Sequence, residues 1–160
     1  MFRYRRFARG CIVGEKSILD LAAENTYKEL ERLGGDSSKL DIPKQTVAIL
    51  YSVQAIIDNG GFQYLFENDF PLNPPYSQFV DAYRRIGSNE AAARLEKAVA
   101  MFPFEDPHMH QERRLEFMAT LEEDSEFVEL GNEVCGDETV WSNLEQYVKR
   151  NAASFPISIN

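Results

Sequence analysis

Long apolar runs are the first thing missing from this sequence. No stretch approaches the ~20 residues that a bilayer-spanning helix needs. The N-terminal MFRYRRFARGCIVGEKS carries arginines but an apolar patch only from Cys11 to Gly14, short of the ~7–15 residues of a signal-peptide core. A cytoplasmic chain without membrane contact is the expectation. Cysteine is scarce as well: Cys11 and Cys135 lie far apart and without metal-ligand spacing, so both are expected to be idle or buried thiols. The only histidines, His108 and His110 in FEDPHMHQE, stand two apart, which on a helix sets their rings about 160° from one another. That spacing suits a strand better than a helix start, and neither a metal nor a cofactor is expected. No serine occupies a Gly-x-Ser-x-Gly elbow, and no catalytic residue can be nominated.

Basic residues are the other shortage. The formal net charge is −9, with 26 acids against 17 bases. The imbalance is local. Arg3, Arg5, Arg6 and Arg9 make the first ten residues purely basic, whereas from Glu105 to Glu145 thirteen acids face only Arg113 and Arg114. A body this negative repels phosphate backbones, which argues against direct nucleic-acid binding and favours a basic partner or a well-solvated surface.

What is present is helical periodicity, nearly throughout. Ser17 and Asp20 form a capping-box pattern before Ile18, Leu21, Ala22, Leu30 and Leu33, and Gly34–Gly35 supplies a stop. After the polar GDSSKLD, Pro43 is placed at a first helical position of a segment carrying Val47, Leu50, Tyr51 and Ile57. PLNPPYS is a loop. SQFVDAYRRIG and SNEAAARLEKAVAMF are two helices split by a C-cap glycine, Gly87, and an N-cap serine, Ser88. Further helices are expected from about His108 to Leu121, around Glu123–Val134, and from Glu138 to Ala153, the last burying Val140, Trp141, Leu144, Tyr147 and Val148. Only CIVG looks extended. The expected architecture is all-α, one domain of six to eight helices over residues 15–160, preceded by a basic arm at 1–14.

One stretch breaks the pattern. IDNGGFQYLFEND sets Gly60 and Gly61 between Asn59 and Phe62 inside a helix-forming run. A phosphate cradle needs a preceding strand and usually a following lysine; here both are missing, and Asp58 and Glu67 would repel an anion. Glycine inside a helix is unfavourable by about 1 kcal/mol relative to alanine, so a pair of them predicts a kink or a close helix contact. Downstream, Glu122, Glu126, Glu129 and Glu133 are spaced to form one stripe on a continuous helix, with Phe127, Leu130 and Val134 as its anchoring face and Gly131–Asn132 as a candidate break. Such a stripe places four carboxylates over about 16 Å, too sparse to copy the one charge per ~1.7 Å of duplex axis. Glu112, Glu116, Glu123, Asp124, Asp137 and Glu138 would have to join it.

The ordered motifs resemble a known family. Asn59, Gly60, Gly61, Phe62, Gln63, Tyr64, Phe66 and Asn68, then Ile86 and Gly87, then Leu95, Ala98, Phe102 and Pro103, and a closing YVKRNAASF, are similar to a group of small bacterial helical domains that includes a DNA-mimic protein. Ser88 stands where that pattern has alanine. The resemblance implies an all-α fold, often dimeric, and a mechanism of competition, in which carboxylates placed like phosphates engage the Arg and Lys of a DNA-binding protein such as a transcription regulator. The motif residues themselves are core and turn positions and imply no chemistry. An immunity-type protein that neutralises a toxin, or a small enzyme gathering Asn59, Asn68, His108 or His110 with carboxylates, are the alternatives.

Overall fold

The computed structural model describes residues 16–156, so the arginine-rich arm expected at 1–14, the CIVG segment and Cys11 lie outside the described residues. Seven α-helices follow in order: α1 Ile18–Arg32, α2 Ile42–Glu67, α3 Tyr76–Arg85, α4 Asn89–Ala100, α5 Gln111–Met118, α6 Glu126–Val134 and α7 Glu138–Arg150, with short 3-10 turns at Ser37–Lys39, Pro107–Met109 and Ala152–Ser154. No strand occurs among the described residues, and none of their helices is long and apolar enough to cross a membrane.

Local chemistry sets most of the boundaries. Ser17 and Asp20 close a reciprocal capping box at the start of α1. Its buried face is Leu19, Ala22, Ala23, Thr26 and Leu30, one residue round from the stripe expected through Leu21. Asp41, whose side chain accepts the Lys44 N–H, caps α2, so Pro43 is the second helical residue and not the first. Gly87 ends α3 at φ +85°, and the Ser88 N–H reaches back to the Tyr83 carbonyl at 3.0 Å. Ser88 does precede α4, but its hydroxyl caps nothing; it is buried and accepts the Asn143 amide at 3.1 Å. Residues His108 to His110, expected in a helix, form a 3-10 turn and its exit, and α5 starts only at Gln111.

α2 is the axis of the bundle. Thr46, Val47, Ala48, Ile49 and Leu50 are buried consecutively, so apolar contact surrounds this helix and is not confined to one stripe. α1, α3, α5, α6 and α7 all pack on it. At Gly60–Gly61 it kinks, and Gly61 has φ 63° and ψ −158°, a conformation essentially restricted to glycine. The kink leaves room for α6. A Cβ on Gly131 would lie 2.6 Å from the Phe62 backbone nitrogen, and one on Gly61 would touch the Gly131 backbone at 3.6 Å. Both expectations for the glycine pair, a kink and a close helix contact, are met, and the glycine of α6 that was a candidate helix break is instead the other half of the contact: α6 runs unbroken through it.

Polar groups tie the same region together. Gln54, fully buried, accepts the Tyr83 hydroxyl at 2.7 Å and donates to the Asp58 carboxylate at 2.7 Å and to the Val134 carbonyl at 3.0 Å. Asp58 also accepts the Gly136 N–H and the Trp141 indole N–H, each at 2.8 Å. Burial, reinforced by the nearby Asp58 and Asp137, pushes the Tyr83 phenol well above its ordinary range, so it stays a donor to Gln54. On the far side of the kink Phe66 meets Tyr76 at 4.9 Å, Phe102 at 5.1 Å and Phe127 at 5.6 Å between ring centroids. Of the motif residues, Phe62 and Phe66 are buried, whereas Tyr64 is half-exposed. Asn59 and Asn68 turn back onto the Ala55 and Tyr64 carbonyls, each at 2.6 Å.

Two predictions follow from this packing. Gly131→Ala forces the α2 and α6 backbones apart and should destabilise the fold by about 1–3 kcal/mol, whereas Asn132→Ala beside it, on the exposed face, should stay within about 0.5 kcal/mol; urea denaturation reads both. On α1, hydrogen bonds from Lys16 and then Lys28 hold Glu24 at about 2, below the ordinary 4.5. A depressed carboxyl contributes stability that is fully present above 4.5 and is lost as pH falls toward 2. The advantage of the wild type over Glu24→Gln at neutral pH should therefore vanish across that window in pH-dependent thermal melts.

Candidate functional site

The acidic segment begins where α5 is anchored. Arg114 is fully buried although it lies in the most acidic part of the chain. Its Nε donates to the Phe66 carbonyl at 2.8 Å, Nη1 to the Pro107 carbonyl at 2.6 Å, and Nη2 to the Asn68 carbonyl at 3.3 Å and the Asp69 carboxylate at 2.7 Å. The guanidinium thus takes up the end carbonyls of α2 and ties them to the turn before α5, a fork geometry that lysine cannot reproduce. Gln111 adds a bond to the Glu67 carbonyl at 2.9 Å. Of the segment's two bases, only Arg113 is exposed, and it stacks on Phe104 at 4.2 Å. Nothing in residue spacing marked Arg114 as buried; the one available signal was a base within an acidic run.

With α5 held through Arg114 and Met118, its Glu112 and Glu116 are exposed. Glu122, Glu123 and Asp124 are exposed on the turn between α5 and α6. The four-carboxylate stripe is therefore shortened, because Glu122 precedes the helix and only Glu126, Glu129 and Glu133 ride on α6. Phe127 and Val134 anchor α6 in the core as expected, with Leu130 half-buried.

Two of the three α6 carboxylates have intramolecular partners that sequence spacing did not show. Lys97 and Arg94, from α4, donate to Glu126 and Glu133 across a shallow groove of about 440 Å³ floored by Ala93 and Leu130. The Glu133 bond, helped by Glu90, holds the Arg94 guanidinium above its ordinary range. Asp137 is engaged too: it caps α7, accepting the Thr139 N–H at 2.9 Å and hydroxyl at 2.6 Å. Glu138 is exposed in the first turn of α7. What remains is a run of six exposed carboxylates, Glu112, Glu116, Glu122, Glu123, Asp124 and Glu129, none of which forms an ion pair among the described residues.

The residues weighed for an enzyme site are gathered only in part. Asn68 and His108 line one small hollow with Asp69 and Tyr76, while His110 packs against the Phe104 ring at 6.2 Å and Asn59 is spent on its own helix. Among the described residues no group of three or more His, Cys, Asp or Glu side chains is placed to hold a metal ion.

The pattern of DMP19-like proteins matches residues 38–151, from the turn before α2 to the end of α7. The chain belongs to the DMP19-like protein family. No curated protein and no solved structure matches it. The glycine kink, the Phe66–Phe102 contact and the Gly87 cap all fall within the matched stretch.

Arg114→Met removes every donor to the Phe66 and Pro107 carbonyls that this side chain supplies and should lower stability by about 3 kcal/mol, with Arg114→Lys recovering only part of the loss. Urea midpoints of the three proteins measure this.

Proposed function

We propose that this chain is an acidic binding protein that sequesters a basic, DNA-binding partner by presenting carboxylates where that partner would meet phosphates. The observation that carries the proposal is the run of exposed carboxylates outside ion pairs on α5, the following turn and α6. Of the segment's two bases, Arg114 is buried and already bonded to Asp69, which leaves only Arg113, stacked on Phe104, to offset them. Three consecutive elements contribute and add to what any single helix supplies, since a helix stripe alone is too sparse against the one charge per ~1.7 Å of duplex axis. Like-charge repulsion among these groups is relieved when a cationic surface docks. Membership of the DMP19-like family supports the same reading through the resemblance of the glycine and Phe-Pro motifs to a group that includes a DNA mimic.

Glu126 and Glu133 contribute less on this reading, because Lys97 and Arg94 already neutralise them. Asp137 is held by its cap and Glu138 flanks the face. The partner's arginines and lysines meet Glu112, Glu116, Glu122, Glu123, Asp124 and Glu129 first, and occupying these blocks the partner's own contacts to phosphate.

The wild-type chain immobilised at low salt should retain a basic DNA-binding protein from lysate and release it at about 1 M salt, where the Debye length falls to ~3 Å. The variant with these six acids changed to Gln or Asn should retain none. Recovery of no basic protein, release that ignores salt, or equal capture by the variant would each sink the proposal.

A further inference from the structure

At one end of the bundle two loops are clamped together and display apolar side chains to water. The loop after α2 and the turn before α5 are joined through Arg114, whose Nη1 holds the Pro107 carbonyl while Nη2 holds Asn68 and Asp69. His108 also meets the Tyr76 ring at 6.2 Å, and Asn73 and His108 line the same hollow. Their immediate neighbours, Leu72 and Met109, are 72% and 56% exposed, the two most exposed large apolar side chains among the described residues. Every positive-φ non-glycine residue described, Leu72 at 63°, Asn73 at 43° and Asp106 at 48°, lies in these two loops. Asn and Asp tolerate that conformation, but leucine does not. A strained backbone that pushes a leucine out of the fold contributes nothing to folding, and strain of this kind concentrates where a surface is used.

The surroundings select the occupant. Asp69 is paired with Arg114 and Arg113 stacks on Phe104, which leaves Glu67, Glu105, Asp106 and Glu112 as the exposed carboxylates of residues 67–76 and 103–112, against the single exposed base Arg113 beside them. A second copy of this end would set carboxylates against carboxylates. A basic segment carrying an aliphatic side chain would satisfy both the rim and the apolar pair. We infer that Leu72 and Met109 are the apolar anchor for the same basic partner, extending its footprint from the carboxylates of α5 onto this loop end; this rests on the proposed acidic-face function. Met109 closes the turn that leads directly into α5, three residues before Glu112. Exposed ion pairs are individually weak and screened by salt, whereas buried aliphatic contact is not, so the anchor supplies the salt-resistant part of the affinity. Met, flexible and polarizable, suits such a contact.

The test uses the full chain and two short labelled peptides, one alternating arginine with leucine and one with each leucine replaced by glutamine, followed by fluorescence anisotropy at low and high salt. The wild type should prefer the leucine peptide by about tenfold, with the preference persisting as salt weakens both. In Leu72→Ser/Met109→Ser the preference should disappear while the arginine–glutamine peptide binds as before. Leu72→Gly should also reduce the preference without lowering the thermal midpoint, because glycine accepts the positive φ; a leucine needed for folding would behave oppositely. Retention of the preference in the double variant, or equal binding of both peptides by the wild type, overturns the anchor and leaves the acidic face standing. Failure of both peptides to bind at low salt overturns both.

Discussion

The structure depends on how closely two backbones approach one another. Where α2 kinks, the Gly131 position of α6 sits against the Phe62 nitrogen at a distance that no side chain permits. That approach brings the Val134 carbonyl within reach of Gln54 and the Gly136 N–H within reach of Asp58, so two bonds of the polar core follow from the close contact that the glycines allow. It also carries Phe127 onto Phe66. A single close contact thereby sets the position of α6, the capping of its end, and the aromatic cluster beneath α5.

The acidic surface is arranged by what lies under it. α5 is a short helix of mostly polar residues, held by a buried arginine in place of a broad apolar face. Burial of a guanidinium is tolerable only when its donors are met, and here the exposed end carbonyls of α2 meet them. The same bonds remove one positive charge from the acidic surface, so a stabilising contact and the surface charge pattern share one residue. On α6 the opposite occurs: α4 lends Arg94 and Lys97 to two of its carboxylates, and the face that stays unpaired moves toward α5 and the turn.

The helical content and the identities of most core positions could be read from period and caps. The capping box at Ser17, the stop at Gly34–Gly35, and the buried set Val140, Trp141, Leu144, Tyr147 and Val148 follow from local rules that act within one or two turns. Local rules failed where a distant partner intervened. Ser88 had the right type for a cap, but Asn143 claims its hydroxyl. Residues 108–110 had a helical period, but the Arg114 bond to Pro107 holds them in a tighter turn. The spacing of Glu122 matched that of α6, yet the helix begins only after Ser125.

The sequence by itself determined an all-α chain with an acidic C-terminal half and a glycine pair that had to mark a kink or a contact, because composition, period and φ preference are properties of residues and near neighbours. Which acids are neutralised, which base is buried, and what Gly61 touches were decided by tertiary structure alone. Glu133 meets Arg94 across 39 positions, Arg114 meets Asp69 across 45, and Gly61 faces Gly131. Pairings of that kind depend on how helices cross, and helix crossing is fixed by packing of whole faces and not by any local signal.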